Sequence, residues 1–230
     1  MITLMSAIRR RPGLSRAEFQ SYLRDVHGEI ATRNPLELAA YVQNHVIDSV
    51  TGAPAGYGEI LNDRDAVIEL QFEGFPQLGA TMGAAYSREV VGPDGPNFSD
   101  LPAAIAVLTA DVGRLEYPSL TAFKTFSYHY ASDGVSLEEF LAAWREARTS
   151  AAGVVFHEQL PEGADLLRYF GGEGVRVPSG VTSIRWESGE AALDSAVASV
   201  AALVDAGVPL DPRLSTTLLT NEIEIYRRSQ

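Results

Sequence analysis

Four histidines, His27, His45, His129 and His157, are the residues of this 230-residue sequence best suited to moving protons near neutral pH. His27 follows Leu23 by four positions and precedes Ile30 by three, so it borders the apolar stripe formed by Phe19, Tyr22, Leu23, Val26 and Ile30 on a helix. His45 alternates with Tyr41 and Gln43 along a strand, which puts an imidazole, a phenol and an amide on one face. Such a trio could supply a base, a hydroxyl donor and an orienting group for an enolate. His157 falls in the corresponding strand of the other half of the chain and is expected to line the same cavity. His129, between Tyr128 and Tyr130, is expected to be partly exposed, and Asp25 to be a surface charge. His27, His45, Tyr41 and His157 are therefore the candidate catalytic residues, although each position would also suit a packing role.

Other chemistries lack their residues. There is no cysteine, so thiol nucleophiles, disulfides and cysteine-held metals are absent. His27 and His45 with Glu59 or Glu69 could in principle make a two-histidine, one-carboxylate site. No H-x-H or H-E-x-x-H spacing supports it, and no metal is expected. Nor is any organic cofactor: G-x-G-x-x-G after a strand, G-x-x-x-x-G-K and G-x-S-x-G are all missing. A net charge of −12 argues against nucleic acid as a partner. Arg9-Arg10-Arg11 is the one basic run and is expected to be a solvated turn. No apolar stretch is long enough to span a bilayer, so no membrane partner is expected. The opening Met1-Ile2-Thr3-Leu4 does not resemble a signal peptide, and a cytoplasmic location is expected.

The elements that must position these side chains repeat. Ile2–Ile8 is a strand ended by Arg11-Pro12-Gly13, and Ser15 with Glu18 forms a capping box that opens a helix. Leu38–Asp48 and Ala66–Phe72 are strands, separated by a Gly- and Pro-rich connection over 51–65 that could act as a lid. Phe75–Glu89 is a helix, Pro93–Pro96 breaks the chain, and Ile105–Glu116 is a fourth strand. The second half follows suit: strand Leu120–Tyr130, a capping box at Ser136 and Glu139, a helix with Phe140, Leu141 and Trp144, and strand Val154–Leu160. Strand Val181–Trp186, helix Glu190–Asp205 and strand Thr216–Tyr226 complete it. The fold class is α+β: two ferredoxin-like β-α-β-β-α-β halves, residues 1–117 and 118–230, forming an intramolecular α/β barrel. Their open sheet faces would pack together around a central cavity; the alternative is one extended sheet. Tyr117-Pro118-Ser119 is too short to act as a flexible linker.

Arg11-Pro12-Gly13-Leu14-Ser15-Arg16-Ala17-Glu18-Phe19, continuing to Arg24-Asp25-Val26-His27-Gly28, resembles the EthD family of the dimeric α/β-barrel superfamily. Tyr41-Val42-Gln43-Asn44-His45, Tyr57-Gly58-Glu59 and Asp94–Phe98 extend the resemblance over most of residues 1–117. The second half keeps the element order without the signature, and Arg148 stands where the first half has His27. The resemblance implies a barrel fold and polyketide dehydratase, cyclase or xenobiotic-breakdown chemistry without metal or organic cofactor. It also implies that a tandem repeat does within one chain what two chains usually do together. The expected function is thus a cofactor-independent acid–base lyase, dehydratase or cyclase acting on a small aromatic or polyketide-like molecule. The alternatives are a binding or accessory protein for a hydrophobic metabolite, or an assembly partner. The expected partners are a small organic substrate and a second barrel of the same kind.

Overall fold

The computed structural model describes residues 1–49, 64–111, 123–148, 154–161 and 176–229. The proposed lid over 51–65 lies almost wholly outside these residues, as does Tyr117-Pro118-Ser119. In chain order the elements are β1 Ile2–Ile8, α1 Arg16–Ser21, a π-helical segment Tyr22–His27, α2 Gly28–Arg33, β2 Ala40–Ser49 and β3 Ala66–Phe72. There follow α3 Phe75–Gly83, a second π-helical segment Ser87–Val91, α4 Gly92–Phe98 and β4 Ile105–Asp111. The second half contributes β5 Phe123–His129, α5 Leu137–Arg148, β6 Val155–Gln159, β7 Gly180–Trp186, α6 Gly189–Asp205 and β8 Thr216–Arg227.

The eight strands close in the order β1-β3-β2-β8-β5-β7-β6-β4. Each half is a four-stranded antiparallel sheet of ferredoxin-like order, β4-β1-β3-β2 and β8-β5-β7-β6. The halves join at their edges, through β2 with β8 and β4 with β6. The chain is therefore an α/β barrel whose eight strands leave no unpaired edge. Closure comes from edge pairing, and the space enclosed is filled by side chains.

Alternation along each strand separates two environments. Met5, Ala7, Val67, Val107, Phe126, Tyr128 and Leu218 turn inward and form a core shared by both halves. Ile2, Leu4, Ile8, Ala66 and Phe72 turn outward beneath the helices of the first half. The interior also holds charge. Lys124 Nζ donates to Glu69 Oε1 at 2.7 Å and lies 3.3 Å from Glu222, which also pairs with Arg185. Asn44 Nδ2 donates to Glu69 Oε1 at 2.8 Å. Lys124 and Glu69 are 7% and 5% exposed, and they join β5 of one half to β3 of the other across the barrel.

Several expectations need correction. The central cavity is a packed core. Pro93–Pro96 lies inside α4, where Pro93 stands near the helix start and needs no N–H partner. Arg9 and Arg10 are ion-paired to Asp100 and to buried Asp65, and Arg16 reaches Asp65 at 3.3 Å. The basic run therefore ties the first turn to the sheet. Asp25 is exposed as expected and bonds Arg24 and Ser21.

Candidate active site

Ser15 opens α1 with a complete capping box, its side chain accepting from Glu18 N and the Glu18 carboxylate accepting from the Ser15 backbone. The helix then widens over Tyr22–His27, where Gly28 N–H donates to Leu23 O, five residues back. In an ordinary α-helix Tyr22 and His27 would lie about 140° apart around the axis. The wider π winding brings them more nearly onto one face. Both reach Asp94: Tyr22 donates its hydroxyl proton to Oδ1 at 2.7 Å and His27 Nδ1–H donates to Oδ2 at 2.8 Å. Asn97 Nδ2 donates to Oδ1 at 3.0 Å.

Strand β2 holds this bulge in place. Gln43 Nε2 donates to Leu23 O at 2.8 Å and to the Tyr41 hydroxyl at 2.9 Å, while its Oε1 accepts from His45 Nε2–H at 2.9 Å. Gly28 permits the close approach, because a Cβ there would stand 3.3 Å from Ile225 Cγ2 and 3.5 Å from Gln43 Nε2. Tyr41, Gln43 and His45 do share one strand face, and that face looks outward to the helices.

Between this face and the helices lies a cavity of about 210 Å³. Its walls are mainly apolar, with Leu4, Ile8, Leu23, Ile68, Leu70 and Phe98 prominent. Its polar contributors include Ser6, His27, Tyr41, Thr81 and Ser99. Phe98 packs on the His27 ring with centroids 4.6 Å apart. The site therefore sits outside the barrel wall, under the helices of one half.

Burial pushes His27 below its ordinary pKa, opposed by its hydrogen bond to Asp94 and by that carboxylate's charge. Burial alone would raise the Asp94 carboxyl, but the hydrogen bonds from Asn97, Tyr22 and His27 prevail and hold it low. Tyr22 is raised, chiefly by its bond to Asp94. His27 is thus a neutral imidazole at neutral pH, with Nδ1 protonated against an ionised aspartate and Nε2 left as the basic nitrogen. Among the described residues Nε2 has no hydrogen-bond partner. Burial, with the Arg24 charge, pushes His45 down to about 4, and burial raises Tyr41 above the usual phenol range.

The four predicted site residues separate. His27 and Tyr41 line the cavity, and His45 lies one hydrogen bond behind through Gln43. His157 is on the opposite face of the sheet, paired with Val181 of the barrel interior and bonded through Nε2 to Ser183 Oγ at 2.9 Å. The rung equivalent to His45, opposite Gly180 as His45 is opposite Ala66, belongs to Glu158. One residue of offset reverses the face. His129 is fully buried against Trp144 and burial lowers it to about 3, contrary to the expected partial exposure. Asp94 and Tyr22 were not among the predicted site residues. Among the described residues no group of three or more candidate ligands could hold a metal ion.

Among the described residues of the second half, aromatic rings fill the corresponding place. Fully buried Trp144 packs against Phe140, Phe156 and His129, and a Cβ on Gly180 would meet its ring at 2.9 Å. Trp144 occupies the place that Leu23 has in the first half, counted from the two capping boxes.

Residues 11–102 match the EthD domain family. No curated protein matches the chain. Among solved structures, a provisionally described monooxygenase from Fusobacterium nucleatum subsp. nucleatum aligns with a TM-score of 0.52 and 6% identity, covering 99% of this chain and 98% of that one. A protein so described from Lactobacillus acidophilus aligns with a TM-score of 0.49 and 8% identity over 98% and 94%. Chlorite dismutase from Candidatus Nitrospira defluvii aligns with a TM-score of 0.44 and 10% identity over 97% and 91%. At 6% identity the likeness to the Fusobacterium protein is one of fold alone.

Proposed function

From an EthD domain over residues 11–102, we propose that this α/β-barrel protein is an acid–base enzyme, a lyase, dehydratase or cyclase, for a small aromatic or polyketide-like molecule held in the first-half cavity. The observation that carries this is His27: an oriented imidazole, backed by a buried carboxylate, on the wall of an apolar cavity. Nε2 takes a proton from a carbon beside a carbonyl, and the C–H electron pair moves into the enolate. Asp94 stabilises the imidazolium so formed and holds the tautomer. The same imidazolium then returns the proton, either to carbon or to a departing hydroxyl. Apolar walls exclude water and keep the base neutral until the substrate arrives. Tyr41 and His45 act through Gln43 by holding the helix bulge. Residues 1–117 carry the site, and residues 118–230 complete the barrel.

His27→Gln should lower turnover of an accepted substrate by roughly 10²- to 10⁴-fold. The melting temperature should stay within a few degrees. A ring-resolved NMR titration of His27 with phenolic and polyketide-like ligands finds the substrate class first. Turnover surviving His27→Gln would rule out His27 as the base. The apolar character of the walls favours a second reading, a non-catalytic carrier of a hydrophobic metabolite. In that case ligand would bind, perturb His27 and leave unchanged.

A further inference from the structure

Three of the polar side chains around the cavity already have partners. Thr81 Oγ1 accepts from Glu37 N, the Tyr41 hydroxyl accepts from Gln43, and His27 Nδ1 is committed to Asp94. Ser99 differs. It is 4% exposed, it lines the cavity, and its Oγ has no hydrogen-bond partner among the described residues.

Leaving a buried hydroxyl without a protein partner costs free energy, and native structures rarely do so without a reason. Ser99 does not need its hydroxyl for the fold. Its backbone N–H bonds Gly95 O, closing α4, and its backbone forms a bridge with Arg10. Alanine would make both contacts. The residue also sits in the segment that carries the rest of the site: Asp94 is five positions earlier, and Phe98, immediately before it, packs on His27. A ligand resting against Phe98 and His27 therefore lies in the cavity that Ser99 also lines.

We infer that Ser99 is a specificity-determining residue whose hydroxyl hydrogen-bonds an oxygen, carbonyl or phenolic, on an otherwise apolar ring system bound in the cavity. This rests on the acid–base reading for the identity of the cavity, and it adds the feature that the substrate must carry. An oxygen held by Ser99 is also the atom on which negative charge would gather when His27 Nε2 removes a neighbouring proton. Ser99 then donates the hydrogen bond that the enolate oxygen needs. A purely hydrocarbon ligand would leave the hydroxyl unanswered, so the site discriminates on that one atom.

The test compares 1-naphthol with 1-methylnaphthalene, which have similar shape and differ by hydroxyl against methyl, in equilibrium binding to the full chain and to Ser99→Ala. The wild type should prefer 1-naphthol by about five- to tenfold, the worth of one hydrogen bond. Ser99→Ala should bring the two ligands to near parity by weakening 1-naphthol, with 1-methylnaphthalene unchanged or tighter and the melting temperature preserved. The inference is overturned if the preference persists in Ser99→Ala, if the wild type has none, or if 1-naphthol does not bind. The readout needs no turnover. Discrimination through Ser99 without any effect of His27→Gln on conversion would retain the ligand class and discard the catalytic role of His27. The reverse pattern would do the opposite.

Discussion

At His27 two influences oppose each other. Burial favours the neutral ring, Asp94 favours the charged one, and burial prevails. If Nε2 is the base, kcat/KM should be level near neutral pH. It should fall as pH drops below about 6.5, through the lowered pKa of the ring. Asp94→Asn removes an influence that raises this pKa, so the acidic limb of the profile should move to lower pH as the maximal rate falls. A limb that stays in place would disconnect Asp94 from the base. The imidazole was legible in the sequence because a histidine on the edge of an apolar helical stripe is conspicuous. Asp94 was not, because it lies 67 residues away among prolines and glycines that suggest a chain break. Tyr22 reads in the sequence as part of the apolar stripe, and a π-helical bulge lets it share Asp94 with a residue five positions on.

The bulge itself depends on an element interaction, the reach of Gln43 from β2 to Leu23 O. Gln43→Leu would leave the His45 ring without its buried partner and Leu23 O with the Gly28 N–H alone, at a cost of about 1–3 kcal/mol. Denaturant unfolding should show this loss, with a larger proportional loss of turnover as His27 drifts from Asp94. In the second half, Trp144→Ala should cost about 3–5 kcal/mol and open an apolar space beside Phe140 and Phe156. Xenon or benzene binding detected by NMR would check it. The strands were readable because apolar–polar alternation and turn residues bound them: Ile2–Ile8 and Ala66–Phe72 coincide with their predicted limits. What alternation could not supply was the alignment of the two halves. Matching His45 with His157 by position misses the true rung by one residue, and in a pleated strand that changes cavity wall into barrel core.

Across the whole molecule, the pair Lys124–Glu69 crosses the barrel between halves with little water to relieve either charge. Lys124→Met should cost about 3–5 kcal/mol because Glu69 is left buried and unpaired, whereas Lys124→Met with Glu69→Leu should recover most of the loss. A double-mutant cycle in urea measures both. Acid should also weaken the fold. His45 and His129 have folded pKa values near 4 and 3, below the unfolded value, so their contribution is complete above about pH 6.5 and is lost progressively as pH falls toward those values. Each accounts for on the order of 3 kcal/mol by pH 4, which thermal unfolding across that range would reveal. The order of the barrel has a further consequence, in time. β8 lies between β2 and β5, and β2 must wait for a partner 169 to 187 residues later in the chain. During synthesis the half that carries the cavity therefore emerges with one sheet edge bare until nearly everything else has been made. Folding should then be slow, governed by the search for that distant strand. Nascent chains are vulnerable meanwhile to pairing with one another, and a chaperone that shields β2 would govern yield more than any substitution in the cavity.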